Sequence, residues 1–334
     1  MRINRRSLIR VIRNTVEQRT RTDRNIVTIY LCGSLLGDEY ELGGTVDIDL
    51  IFIHAGIVEE GREIVRLTDD VHLDIAHHDQ KHYRDTRTLR LHPWMGPNIN
   101  TCEIYYDPGH FMDFTQASVR GQFDRPEYVL SRARTQVSSA RQIWFAYENE
   151  QPEAGPSEIG ELLKAIGNAG NAISSLSGPP LTERRYLQQF QQRTDVLRRQ
   201  ELFSGFMALL GIQNVEIDTI RSWLQPWEMG YDLIRPGKTP ARLDPVRKHY
   251  YLRAFETILD SNQPGAILWP LLSTWTLILN NLPKNTPARE GWQETFRELG
   301  FLEDGFEKRI MALDGYLDQV EETLDDWARA QGIG

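Results

Sequence analysis

The chain has 334 residues, of which 40% are hydrophobic and 25% are charged, and its formal net charge is −9. This composition is that of a soluble globular protein and does not suggest a disordered chain, and the length predicts two domains. The acidic balance disfavours a nucleic-acid partner, because nucleic-acid binding usually requires a basic face, and it suits a cationic small molecule better.

The first predicted element is an amphipathic helix. Residues 2–24 carry eight arginines, and the apolar residues between them recur at helical spacing. We expect one face of this helix to pack on a sheet while the arginines face solvent. A basic arm that reaches nucleic acid is the alternative interpretation.

Two apolar stretches flank the most informative part of the sequence. Ile26–Cys32 ends at Gly33-Ser34, and after a twelve-residue gap Asp47-Ile48-Asp49 leads into a second apolar run. The pattern predicts strand, turn, helix and strand. Side chains alternate along a strand, so Asp47 and Asp49 should point the same way while their neighbours enter the core.

Two adjacent carboxylates repel each other unless a cation holds both of them ionised, and Mg²⁺ is the oxygen-preferring ion suited to that role. Gly33 lets backbone N–H groups turn toward a ligand, and Ser34 is predicted to open a helix whose N-terminus favours phosphate. The stretch therefore predicts one cleft for metal and phosphates. The plainer alternative is a surface turn followed by two solvated aspartates.

Gly-Ser followed by Asp-x-Asp at the start of a hydrophobic strand resembles the nucleotidyltransferase superfamily of the DNA polymerase β type. The resemblance is closest to its small bacterial members that adenylylate antibiotics such as aminoglycosides and lincosamides. It covers Ile26–Asp107 by motif and the helical remainder by layout. It implies an α+β chain: a nucleotidyltransferase fold, with a mixed β-sheet flanked by helices, over residues 1–125, and an all-helical, acceptor-binding bundle over residues 126–334.

After the motif, Ile57–Leu67 is predicted to be a helix, and Val71–Ala76 and Thr101–Asp107 are predicted strands. Asp74 lies on the polar face of its strand. The resemblance implies that this third acid completes the metal site or accepts the acceptor's proton, whereas a solvated aspartate on an edge strand is the alternative. His78 and His82 have a spacing that could hold zinc on a helix, but no second pair of ligands lies nearby.

From Pro126 onward the spacing of apolar residues is helical, and the last predicted helix carries an apolar stripe that serves its own bundle or a homodimer. Pro226–Pro245 is predicted to be a loop, either a lid or irregular chain, with Trp227, Tyr231 and Lys238 in it.

No membrane span is predicted, because the longest apolar run, Ala266–Leu279, is too short and contains a proline. With no apolar signal region after Met1, we expect a cytoplasmic protein. In that compartment Cys32 and Cys102 are expected to be reduced core residues.

The resemblance implies an enzyme that transfers a nucleoside monophosphate, with AMP from ATP expected, to a hydroxyl of a small molecule such as an antibiotic, releasing pyrophosphate. Mg²⁺, with two ions expected, would be held by Asp47, Asp49 and Asp74, while Gly33 and Ser34 hold the outer phosphates. The general base would be Asp74 or an acid of the helical domain; the candidates there are Glu148, Glu161, Asp195 and Glu201.

The chain departs from this family at two positions. Many antibiotic-modifying members have an arginine after Gly-Ser and a serine before the first aspartate, where this chain has Leu35 and Val46. The choice of nucleotide therefore stays open. The alternatives are a protein or tRNA nucleotidyltransferase of the toxin–antitoxin type, and a nucleotide-binding pseudoenzyme without chemistry.

Overall fold

The computed structural model describes residues 4–59, 61–211, 215–237 and 239–333. These residues form one mixed five-stranded sheet and thirteen α-helices, so the predicted α+β class is confirmed. The chain divides into two compact units. The first runs to Tyr128 and includes Leu252–Thr257, and the second comprises Val129–Tyr251 and the chain from Ile258 onward.

The sheet of the first unit has the strand order β3-β4-β2-β1-β5. Its central neighbours β2 and β4 run parallel, and the other neighbouring pairs are antiparallel. The strands are β1 (Ile26–Cys32), β2 (Val46–His54), β3 (Gly61–Arg66), β4 (Val71–Asp79) and β5 (Glu103–Tyr106).

Helices cover both faces of the sheet. The first helix, α1 (Arg5–Thr22), buries the apolar stripe predicted for it against Ile48 and Leu50 of β2 and their neighbours. On the opposite face a second core joins β1 and β2 to the short helices that follow β4 and β5. These helices are α2 (Thr86–Leu91), α3 (Met95–Thr101) and α4 (Phe111–Arg120).

The helix predicted over Ile57–Leu67 is wrong, because the segment contains the edge strand β3. β3 pairs antiparallel with β4, and its register places Ile64 beside Asp74. β3 and β4 form a hairpin across residues 67–70, and this pairing decides the conformation of the segment, since strand preference depends strongly on the packing context. The strands predicted over Val71–Ala76 and Thr101–Asp107 are confirmed as β4 and β5, and β4 continues to Asp79.

Beyond β5 the described residues contain no further strand, as the helical spacing predicts. The helices are α5 (Pro126–Glu150), α6 (Pro156–Ser174), α7 (Tyr186–Leu197), α8 (Gln200–Leu209), α9 (Ile217–Asp232), α10 (Lys248–Leu259), α11 (Leu268–Asn280), α12 (Arg289–Glu298) and α13 (Asp304–Ala330). The apolar stripe of α13 is buried and contacts α6 and α8, so it serves the bundle's own core.

The loop predicted over Pro226–Pro245 starts later than expected. Pro226 lies inside α9, and the helix continues to Asp232. Trp227 is fully buried there, and its indole N–H donates to Thr274 Oγ1 at 2.9 Å, so tertiary packing holds the helix past its proline. Lys238, which was assigned to the same loop, lies outside the described residues.

Two further expectations concern membrane spans and cysteines. Among the described residues, no helix combines the length and the apolar character needed to cross a membrane. Cys32 and Cys102 are both buried and neither forms a disulfide, as expected.

Candidate functional site

The paired aspartates lie at the start of β2, on the face opposite α1. Val46, Ile48 and Leu50 enter the core beneath α1, so the alternation of a strand turns Asp47 and Asp49 to the other face. Asp47 is almost fully buried, whereas the Asp49 side chain retains 25% of its exposure. Asp49 is therefore the more accessible of the two carboxylates.

The parallel neighbour β4 places Asp74 directly beside Asp49 and His72 beside Asp47. Adjacent strands lie about 4.8 Å apart, and directly opposed residues point to the same face. The three acids singled out in the sequence are thus on one face at the start of the two central strands. His72 Nδ1 lies 3.7 Å from Asp47 Oδ1, and the His72 side chain is fully buried.

The turn after β1 lies against Asp49. Gly33 has a φ of +78°, and a Cβ built on it would fall 2.1 Å from Asp49 Oδ2. Glycine is required here on both counts, since a larger residue would be strained and would collide with the carboxylate. The Gly33 turn and the Asp49 carboxylate are therefore in close contact, as the sequence predicts.

Ser34 does not open a full helix. Residues Ser34–Leu36 form a single 3-10 turn, so the predicted phosphate-binding helix N-terminus is wrong. Ser34 itself is exposed, and Leu35 is buried in the core beneath α1. Leu35 thus places an apolar side chain in the core, and the exposed part of this turn includes its backbone at Gly33 and the Ser34 side chain.

Arg62 joins this group, although the sequence pattern did not point to it. Its Nε donates to Asp74 Oδ1 at 2.8 Å, and its Nη2 lies 4.0 Å from Asp49 Oδ1. Arg62 was missed because a helix was predicted for its segment. The β-branched pair Ile64-Val65 between Gly61 and the Asp69-Asp70 turn was the local signal for a strand.

Burial raises the pKa of the Cys32 thiol well above its ordinary value, and the negative charge of Asp49 raises it further while Arg62 opposes the change. Cys32 pairs with Asp49 in the sheet register. A thiol with a raised pKa stays protonated at neutral pH and is a poor metal ligand. Oxygen ligands therefore define the chemistry of this group.

The histidines do not form the zinc pair considered from the spacing. His78 lies on β4, where its Nδ1 is 2.6 Å from Tyr83 Oη, and His82 lies in the 3-10 turn that follows. His77 Nδ1 is 3.0 Å from His54 Nε2. Within the described ranges, no group of three or more His, Cys, Asp or Glu side chains is arranged to hold a metal ion.

The acids proposed as alternative bases lie on helices α5 to α8 of the second unit. Glu148, Asp195 and Glu201 are exposed, and Glu161 pairs with Lys164 at 3.0 Å. None is distinguished by burial. The acid that burial does distinguish in that unit is Glu183, which the sequence analysis did not select.

Asp107, at the end of β5, has a structural role. Its carboxylate accepts hydrogen bonds from the backbone N–H groups of Phe111, Met112 and Asp113, and from the Thr28 hydroxyl. It therefore caps the start of α4 and ties that helix to β1. This leaves Asp47, Asp49, Asp74, the Gly33 turn and Arg62 as the candidate site.

In comparisons with known proteins, no protein-family model matches the sequence, and no curated protein matches it.

Proposed function

We propose that this protein transfers a nucleoside monophosphate, with ATP as the expected donor, to a hydroxyl of a small molecule in a Mg²⁺-dependent reaction. The observation that carries the proposal is the register of β2 and β4, which sets Asp49 beside Asp74 with Asp47 on the same face. The exposed Gly33 turn lies against Asp49. Acids that would hold a metal and a backbone turn that would hold phosphates therefore lie together, at the end of β1 and the starts of β2 and β4.

The donor set fits Mg²⁺. This ion is usually held by one or two carboxylates, with water and substrate phosphates completing its octahedron, so an all-protein cage of three or more ligands is not needed. Asp47 and Asp49 would hold it, with Asp74 beside them. When bound, Mg²⁺ supplies charge neutralisation at the attacking and leaving oxygens of the displacement.

The remaining steps belong to the chain's own groups. The Gly33 backbone N–H and the Ser34 hydroxyl would hold the outer phosphates and orient the nucleotide for in-line attack at its α-phosphorus. Asp74 would accept the proton of the acceptor hydroxyl. In the structure Asp74 Oδ1 accepts a hydrogen bond from Arg62 Nε at 2.8 Å, so this oxygen must part from the guanidinium before it can accept that proton.

A screen of hydroxyl acceptors tests the proposal. The full-length protein is incubated with Mg²⁺ and ATP together with aminoglycosides, lincosamides or other cationic small molecules, and pyrophosphate release is measured. We expect release that depends on both acceptor and Mg²⁺ and is lost in Asp49→Asn. Asp113→Asn, which changes an exposed aspartate on α4, is the matched control and should keep the wild-type rate.

Two results would count against the proposal. Equal release from the wild type and Asp49→Asn would show that the reaction does not use this site. Transfer of the label from radioactive ATP to protein or tRNA, with no small molecule accepting it, would assign a macromolecular acceptor in place of the one proposed.

A further inference from the structure

We infer that Arg62 is an internal cation that holds Asp49 and Asp74 in the metal-free protein and is exchanged for the divalent ion when that ion binds. The inference rests on the proposed function, since it concerns the same acids. It goes further in assigning a role to a residue on the edge strand of the sheet. Metal binding would then carry a built-in competition with a side chain of the same protein.

The contacts of Arg62 are uneven. Its Nε donates to Asp74 Oδ1 at 2.8 Å, whereas its Nη2 approaches Asp49 Oδ1 only to 4.0 Å, beyond hydrogen-bond distance. The guanidinium is thus anchored to one acid and attracted to the other.

Burial shows which partner can move. The Asp74 side chain is 2% exposed and the Asp49 side chain 25%, whereas the Arg62 side chain is 46% exposed. Arg62 stands on β3, an edge strand with no further strand outside it in the sheet order. The acids are fixed by the central strands, and the long arginine side chain has solvent into which it can swing.

Charge explains why an exchange is expected. Asp47, Asp49 and Asp74 lie on one face of two adjacent strands, and Arg62 contributes a single positive charge to the last two. A divalent ion supplies twice that charge and coordinates carboxylate oxygens directly. An oxygen that ligates the ion cannot at the same time accept the Arg62 Nε–H in its present geometry, so binding one cation weakens the other.

The same strand provides a matched control. Arg66 stands four residues after Arg62 and therefore on the same face of β3, but it pairs with the exposed Asp69. Changing Arg66 removes the same charge from the same strand without touching Asp49 or Asp74. A general effect of net charge would appear in both variants, whereas a local exchange would appear only at Arg62.

The test is a titration of the full-length protein with Mn²⁺, which accepts the same oxygen ligands, followed by electron paramagnetic resonance. We expect Arg62→Gln to bind Mn²⁺ about tenfold more tightly than the wild type, as for a site that a competitor occupies most of the time. Arg66→Gln should bind Mn²⁺ as the wild type does. The Mn²⁺ affinity of Arg62→Lys, which keeps the charge but loses the guanidinium fork, should lie between those of the wild type and Arg62→Gln.

A second measurement follows the wild type itself, and a variant serves only to identify the signal. The Arg62 Nε–H proton should be detectable by NMR, because its bond to the buried Asp74 slows its exchange with water, and Arg62→Lys identifies the signal by its loss. Saturating Mg²⁺ should speed that exchange. A signal unmoved by Mg²⁺ would overturn the inference, as would equal Mn²⁺ affinity in the wild type and Arg62→Gln.

The two failures can be told apart. If neither the wild type nor Arg62→Gln binds Mn²⁺, the proposed function fails and the inference fails with it. If both bind Mn²⁺ equally and Asp49→Asn does not, the metal site stands and only the role of Arg62 is wrong.

Discussion

Two clusters of acid and arginine, one in each unit, show different balances of charge. In the first unit, the Arg62 guanidinium lies near both Asp49 and Asp74. In the second unit, Glu183 receives both the Arg242 guanidinium, through Nε at 3.0 Å, and the Tyr251 hydroxyl at 2.8 Å. One guanidinium is thus shared by two carboxylates in the first cluster, whereas the second cluster is matched, with a partner on each oxygen of its carboxylate.

The pKa of Glu183 reflects this matching. Burial alone raises the pKa of the carboxyl, but the charge and hydrogen bonds of Arg242 and the bond from Tyr251 outweigh it, and the pKa falls below its ordinary value. Each oxygen of this carboxylate has a partner within the unit. The comparison teaches that a carboxylate bonded on both oxygens stabilises its unit, whereas a guanidinium shared between two carboxylates is the one that, in our proposal, a divalent ion replaces.

The largest expected effect is on catalysis. Asp49→Asn keeps the shape of the side chain but removes a ligand charge, so the rate of pyrophosphate release should fall by about 10³-fold, the scale seen when one group that stabilises a transition state is lost. The unfolding midpoint should change little. A rate of pyrophosphate release within a few-fold of the wild-type rate would show that the Asp49 cluster has no catalytic role that sets it apart from the Glu183 cluster.

The next effect is on stability, in the second unit. Arg242→Gln leaves the Glu183 charge without its guanidinium, and since Arg242 is partly exposed we expect a loss of about 2 kcal/mol, less than for a fully buried pair. Urea unfolding followed by tryptophan fluorescence measures it, because of the eight tryptophans only Trp94 precedes the second unit. An unchanged midpoint would show that the matched cluster does not stabilise its unit.

The smallest effect is a dependence on pH. Because the folded pKa of Glu183 lies below its ordinary value of 4.5, the stabilisation from its charge is fully present above that value and is lost as pH falls through the lower, folded pKa. Glu183→Gln should therefore be less stable than the wild type at pH 7, with the gap narrowing in acid. Unfolding midpoints of both proteins at pH 7 and at acidic pH test this, and a stability gap that widens in acid would contradict it.

The sequence was sufficient for the parts of the site that depend on local pattern. The alternation around Ile48 places Asp47 and Asp49 on one face, and the abrupt end of β1 at Gly33 places a turn beside them. Both follow from the period of a strand and from the backbone freedom of glycine.

The parts that depend on contacts between elements were not predictable in this way. Arg62 reaches Asp74 because β3 and β4 form a hairpin, and the helix predicted for the segment of β3 concealed that pairing. Pro226 stays within α9 because Trp227 is buried and bonded to Thr274 of the neighbouring helix α11, although proline locally favours a helix end. The burial of Leu35 also depends on contacts between elements, because it packs in the hydrophobic core beneath α1.

The most direct test of the central claim is calorimetry with Mg²⁺ and a non-hydrolysable ATP analogue. We predict that the wild type binds the analogue only when Mg²⁺ is present, and that Asp49→Asn does not gain this binding when Mg²⁺ is added. Binding of equal strength in the wild type with and without Mg²⁺, or no binding at all, would contradict a metal and nucleotide site at Asp47, Asp49 and the Gly33 turn.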